Sequence, residues 1–336
     1  MKRFIVLILL GITISFLQAS ENIFISPKVA LKMINKKDVL FISLDKNSLE
    51  IKNSKQINMD FLISSDILGR LSCSSFYGCS KKIEKYFSSL GIENNHPLIL
   101  YDNSYGIQSA TFYGILESIG HTNMAILRGG IEDIMNLDPN WKLYSKYLNE
   151  LDGLVDSIQK DVNQTRINDF ASQINDLEKK IRVLEPHLLV DKSNSNFNNS
   201  NTVDSNYTIT KTNQLYSFSK KDLVEILKAN GQEDSNNSII DVCTMHNLLG
   251  KDSHTGIKFL SWKRLIDKES RYLKSNETLE VLFRELGLTK TNHNYLYCMS
   301  GVEKAFFMMM ALREVGYTKT KVFRGDWNTW VGDIDE

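Results

Sequence analysis

The sequence predicts an α/β protein of two similar domains, each a parallel sheet covered by helices, with a helical, coiled-coil-like segment between them. Three observations lead there. Short apolar, strand-like runs alternate with helical patterns, the signature of a parallel sheet with helices on its faces. The alternation occurs twice in the same order and nearly the same spacing, as two copies of one fold would. The stretch between the copies changes to long charged residues with a helical period.

The first copy opens with Phe24-Ile-Ser-Pro27, a helix, and the apolar run Val39–Ser43. The second opens with Phe218-Ser219, a helix, and Ser238–Val242. Leu98-Ile-Leu-Tyr-Asp102 then corresponds to Tyr295-Leu-Tyr-Cys298, so that Asp102 takes the place of Cys298. Gly120 and Gly316 follow those two residues at the same distance of 18. His121 to Arg128-Gly129 keeps step with Tyr317 to Arg324-Gly325, and each copy closes on an apolar tail, Ile131…Ile134 or Trp327…Trp330. The domains are placed at 21–145 and 207–336.

Residues 1–20 read as a secretory signal peptide. Lys2-Arg3 is basic, Phe4–Phe16 is apolar, and small residues end at Ala19-Ser20. The apolar run falls short of the ~20 residues of a membrane span. No cysteine follows it for a lipid anchor. The expectation is an exported protein, periplasmic if bacterial, without a stable membrane span after cleavage. Forty basic residues balance forty acidic ones, which gives no reason to expect nucleic acid or an anionic membrane as partner. Four cysteines are too few for a disulfide framework. Cys73 and Cys79 suit a disulfide closing a small surface loop; metal binding is the other reading, although no histidine lies nearby.

Between the copies, residues 146–190 carry Leu148, Leu151, Val155, Ile158 and Val162 at helical steps. After a break near Asn168, Ile174, Leu177, Ile181 and Leu184 continue the pattern. This is an amphipathic helix, hairpin or coiled coil. It serves either as a linker helix packed on its own domains or as an arm for self-association or a protein partner. Residues 191–206, rich in Ser and Asn, read as a disordered linker.

The chemistry concentrates at Cys298. It ends a strand and opens the loop Cys298–Lys304, after which an apolar helix runs from Ala305 to Val315. Unpaired N–H groups at a helix start favour a thiolate, the nucleophilic form of cysteine. Gly301 allows the tight turn that aims several amides at one sulfur. A buried structural cysteine is the plainer reading of the position alone.

Tyr297-Cys-Met-Ser-Gly-Val302, Leu312-Arg-Glu-Val-Gly-Tyr317 and Phe323-Arg-Gly-Asp-Trp327…Trp330 resemble the rhodanese (sulfurtransferase) family in its tandem form. In that family the N-terminal copy typically carries an aspartate for the cysteine, as Asp102 does here. The resemblance implies that Cys298 takes the outer sulfur of a small donor such as thiosulfate, 3-mercaptopyruvate or polysulfide. It then passes the sulfur to cyanide or a thiol through a persulfide, with no metal or organic cofactor. Met299, Ser300, Gly301, Val302, Glu303 and Lys304 would bind the donor, their backbone amides holding the anionic persulfide.

This chain departs from the family in two places. Ser300 leans toward the mercaptopyruvate type, whereas Met299 and Glu303 match neither donor type. Ile240-Asp-Val-Cys243 has a cysteine where the family often has a substrate-anchoring arginine. Cys243 is either inert packing or, from a neighbouring parallel strand, a thiol that resolves the Cys298 persulfide. His254, Arg128 and Arg324 read as structural, and Trp262 as a core or interface residue. Such departures keep a second reading open, a non-catalytic rhodanese-like binding or scaffold protein that docks partners through 146–190. No arginine closes the loop as phosphatase chemistry needs, and no Cys-x-x-Cys motif occurs.

Overall fold

Strands rich in Ile, Leu and Val, apolar on both faces, assemble into parallel sheets covered on both sides. Among the described residues each copy builds one five-stranded parallel sheet. In the first, β1 (Phe24–Ile25), β2 (Leu40–Ser43), β4 (Lys55–Gln56), β5 (Leu98–Tyr101) and β6 (Met124–Leu127) lie in the order β1-β6-β5-β2-β4. In the second, β8 (Ser217–Phe218), β9 (Asn237–Asp241), β10 (Ile257–Phe259), β11 (His293–Tyr297) and β12 (Thr320–Phe323) lie in the order β10-β9-β11-β12-β8. The registers agree as well. Leu100 sits between Ile42 and Ile126, and Leu296 between Ile240 and Val322. Each is two residues before Asp102 or Cys298, so the pairing read from the sequence is the pairing in space.

The structure is a computed structural model. It describes residues 22–34, 36–45, 49–57, 59, 80–103, 105–160, 164–184, 189–191, 205–210, 217–218, 221–222, 225–226, 236–243, 257–298 and 302–323. The signal-peptide reading, Cys73 and Cys79, most of the Ser/Asn tract, His254, Met299–Gly301 and Arg324 lie outside them. Among the described residues no helix is long and apolar enough to cross a membrane.

Helix α1 (Pro27–Leu31) starts where Ser26 Oγ accepts the Val29 N–H and proline occupies the first turn. Helices α2 (Ser80–Ser89), α3 (Ile107–Ser118) and α4 (Gly130–Leu137) complete the first domain. In the second, α7 (Asn276–Glu285), capped by Ser275, lays Leu279, Leu282 and Phe283 on the core. Helix α8 (Val302–Glu314) starts at Val302, three residues before the expected Ala305, and Glu303 in its first turn suits the positive helix end.

Helices α3 and α8, equivalent in the two copies, pack against each other and join the domains through one apolar core. Both are apolar around nearly their whole circumference. In α8 the run Phe307-Met-Met-Met-Ala-Leu312 is fully buried. Gly114 of α3 makes room for the Phe306 ring, which a methyl group there would overlap. Polar contacts rim this core. Arg313 donates to both Glu117 carboxylate oxygens at 2.6 and 2.9 Å. Glu314, buried at the end of α8, accepts the Ile23 and Phe24 N–H groups of the other domain at 2.6 and 3.1 Å. Arg128 links Glu314 to Asn276, at 3.3 and 2.9 Å, which is the structural role expected of it.

Between the domains, α5 (Trp141–Lys160) and α6 (Gln164–Val183) pack on each other. The helical segment therefore starts at Trp141, before the expected 146, and α6 runs through Asn168, the expected place of a break. Leu151, Leu154 and Ile158 of α5 are half-buried, while Val155, which the spacing assigns to the apolar stripe, faces solvent at 40% exposure. The segment ends in β7 (Leu189–Asp191), which pairs antiparallel with β3 (Leu49–Ile51) of the first domain. Past the Ser/Asn tract, residues 205–209 run along α2. Ser205 Oγ donates to the Ile92 carbonyl at 2.6 Å, and Ile209 N donates to Glu84 at 2.8 Å. Tyr207 is buried against Phe87 and stacks on His121. These residues complete the first domain rather than opening the second.

Burial pushes the His121 imidazole down to about 4, and its Nε2 meets the His96 carbonyl at 2.9 Å. A depressed basic group stays neutral in the fold while the unfolded chain takes up its proton. Stability is therefore full above the ordinary histidine value of about 6.5 and is lost as pH falls toward 4, by on the order of 3 kcal/mol. Melting temperature should fall across that interval. In His121→Gln, which keeps a donor for the His96 carbonyl, the fall should flatten. Parallel profiles for the two proteins would contradict the assignment.

Candidate active site

In the second sheet, β9 and β11 are adjacent and parallel, and both end at the same edge. Tyr297 pairs with Asp241, and the Val242 N–H donates to the Tyr297 carbonyl at 3.0 Å. The next residue of β11 is Cys298, and Cys243 lies one residue past Val242. The register thus carries both cysteines to the carboxyl ends of central strands, where open α/β sheets place their reactive groups. Their Cα atoms are 5.0 Å apart and their sulfurs are joined as a disulfide. That Cα separation lies within the span a disulfide bridges, about 4.4–6.8 Å. Both residues are buried, Cys298 at 3% exposure and Cys243 at 7%.

Local contacts hold the Cys243 turn. Asp241 Oδ1 accepts the Cys243 N–H at 2.9 Å. The Leu260 N–H donates to the Asp241 carbonyl and the Trp262 N–H to the Val242 carbonyl, both at 3.0 Å. Burial, reinforced by the Asp241 carboxylate, holds the Tyr297 phenol well above its usual range, so this side chain stays neutral among Ile226, Ile239 and Phe323. Trp262 begins a short 3₁₀ turn (Trp262–Leu265) packed on α8. Its ring lies 6.5 Å from Phe307 and 6.1 Å from Tyr105 of the first domain, an interface position as expected.

Of the residues expected to bind donor, Val302, Glu303 and Lys304 fall in the first turn of α8, immediately beyond the loop that follows Cys298. Val302 is buried, whereas Glu303 and Lys304 are half-buried. Unpaired N–H groups at such a helix start favour negative charge nearby.

Asp102, at the matching position of the first copy, does a different job. Its carboxylate turns into the start of α3 and accepts the Gly106 N–H at 2.8 Å and the Ser109 N–H at 2.6 Å. Burial weakens it as an acid, holding its pKa above the usual carboxylate value despite those donors. Gly130 has φ +59°, and a side chain there would strike the Asp102 carbonyl, so this glycine, which follows the Arg128-Gly129 turn, is required by close approach. A cleft between the domains opens here, lined by Tyr105, Arg128, Glu132, Arg271 and Tyr272 among others; neither Cys243 nor Cys298 lines it. Glu314 ties the halves together and Tyr207 completes the first, and sequence reasoning singles out neither. The only signal for Glu314 is a lone acid at the end of an apolar helix.

The chain has the rhodanese fold in tandem form. Among solved structures it is similar over 91% of its length to the rhodanese-fold 3-mercaptopyruvate sulfotransferase SseA of Escherichia coli, covering 99% of that chain with a TM-score of 0.59 at 16% identity. It is similar over 94% of its length to the Tum1 protein of Saccharomyces cerevisiae, covering 97% of that chain with a TM-score of 0.63 at 15% identity. A sulfur transferase subunit of yeast mitochondrial complex I matches over 91% of this chain and 95% of its own, with a TM-score of 0.60 at 16% identity. No family model matches the sequence, and no curated protein matches it.

Replacing Asp102 by alanine leaves the buried Ser109 amide and the half-buried Gly106 amide at the start of α3 without this acceptor. The urea midpoint should fall by the equivalent of about 2–3 kcal/mol with an unchanged slope. An unaltered midpoint would mean that Asp102 does not hold the helix start.

Proposed function

We propose that the chain is a sulfurtransferase working through Cys298. The observation that carries this reading is the place of Cys298, at the carboxyl end of β11 and directly before α8, in a fold shared with known sulfur transferases. With a free Cys298, the thiolate attacks the outer sulfur of the donor. The bond between that sulfur and the rest of the donor breaks, and its electrons leave with sulfite from thiosulfate or pyruvate enolate from 3-mercaptopyruvate. A Cys298 persulfide remains, and an acceptor such as cyanide or a thiol removes the outer sulfur. The unpaired N–H groups at the start of α8, four residues past Cys298, would favour an anionic sulfur there. Glu303 in the first turn of α8 disfavours a doubly charged donor, which weighs toward 3-mercaptopyruvate over thiosulfate. A signal peptide at residues 1–20 would send this chemistry to a compartment where disulfides form readily.

The disulfide in the structure favours one other reading, a binding or scaffold protein whose cysteines serve only stability. Cyanide separates the two. Reduced protein given thiosulfate or 3-mercaptopyruvate should form thiocyanate above background, and Cys298→Ser should form none. Protein whose Cys298 labels as a free thiol, yet yields no thiocyanate or polysulfide-derived persulfide, would replace the enzyme reading by the binding one.

A further inference from the structure

The Cys243–Cys298 pair does more than close a loop. We propose that Cys243 is a second catalytic thiol, which resolves the Cys298 persulfide and releases the transferred sulfur as hydrosulfide. The inference rests on the sulfurtransferase reading and names the acceptor in it, a thiol of the same chain.

Strand register brings the two thiols together. Cys298 ends β11 and Cys243 lies two residues past β9, on neighbouring parallel strands whose last pair is Tyr297 with Asp241. The two Cα atoms are 5.0 Å apart and the sulfurs are bonded, so Cys243 Sγ reaches the inner sulfur of a persulfide on Cys298 with little backbone movement. The turn that presents Cys243 is fixed by the Asp241 carboxylate and by the backbone bonds from Leu260 and Trp262. Val242, between the pair of ladder bonds, is fully buried. A thiol held this way has an effective concentration that free thiols in solution rarely match.

The step balances. The Cys243 thiolate attacks Sγ of the Cys298 persulfide. The Sγ–Cys243 bond forms and the bond to the outer sulfur breaks, its electron pair leaving on that sulfur. The proton lost from Cys243 goes to solvent, and the leaving sulfur is hydrosulfide. The sulfane sulfur gains two electrons, and the two cysteines become the disulfide seen in the structure. A further turnover needs two electrons from an external thiol reductant, a small thiol or a protein dithiol. Such a reductant would attack the disulfide in its turn, which sets this chain between a sulfur donor and a thiol-based electron source.

The test uses the full mature chain, reduced with a phosphine and freed of it, then given 3-mercaptopyruvate or thiosulfate, whose own leaving groups contain no sulfide. Wild type should gain about 32 Da only transiently. It should end about 2 Da below the dithiol form, with one equivalent of sulfide released. Cys243→Ser should hold the added sulfur at least about tenfold longer, with no sulfide until a thiol is added. Cys243→Ala serves as a second variant should the serine one fold poorly. If wild type and both variants load sulfur and hold it equally, the resolving role is overturned while the sulfurtransferase reading stands. The resolving role is likewise overturned if the disulfide forms only with an added oxidant and without sulfide. If no protein loads sulfur from these donors or from polysulfide, both readings fall together.

Discussion

The packing of α3 on α8 is the constraint on which the rest of the molecule depends. Each helix must be apolar on the face toward its own sheet and on the face toward the other helix, so little circumference is left for polar residues. Burying a large apolar side chain is worth about 1.5–3 kcal/mol, and Phe307 to Leu312 alone offer five such side chains. The rim contacts, Arg313 with Glu117 and Glu314 with the β1 amides, add modest energy by comparison and mainly fix the alignment. The two domains thus share a core, and the helix that follows β11 and Cys298 is the one that joins them.

That arrangement gives the copy without a cysteine a structural job. Asp102 stands where Cys298 stands in the other copy, ties down the start of α3, and so supports the wall against which α8 packs. On the proposed reading, chemistry and support are divided between two copies of one fold. Tyr105 against Trp262 brings the first domain close to the turn that carries Cys243.

Much of this is legible in the sequence because it depends on local pattern. Strands buried on both faces write themselves as unbroken apolar runs, and the matching intervals from Asp102 to Gly120 and from Cys298 to Gly316 align the copies without any knowledge of register. The nearness of Cys243 to Cys298 can be suggested because both follow strand ends of one parallel sheet. Other features depend on long-range packing, which no local pattern records. Tyr207 sits beyond a polar tract and reads as the opening of the second domain, yet its ring fills a space beside Phe87 and His121. Val155 fits the helical stripe by spacing alone, and only the position of α6 decides that Leu154 faces inward in its place. The start of α8 is expected too late because Glu303 and Lys304 look like loop residues until the helix end accounts for the acid.

The pairing of β7 with β3 has a consequence for how this chain tolerates change. The helical excursion of α5 and α6 leaves the first domain beside α4 and returns to it at β3, so both of its ends are anchored in the same body. Adding or deleting matched turns at the tip of such a hairpin alters its reach without moving either anchor or disturbing the second sheet. Its length is therefore free to drift while the distance between Cys243 and Cys298 is not, and variation among descendants of this chain should collect at the tip and spare the strand ends.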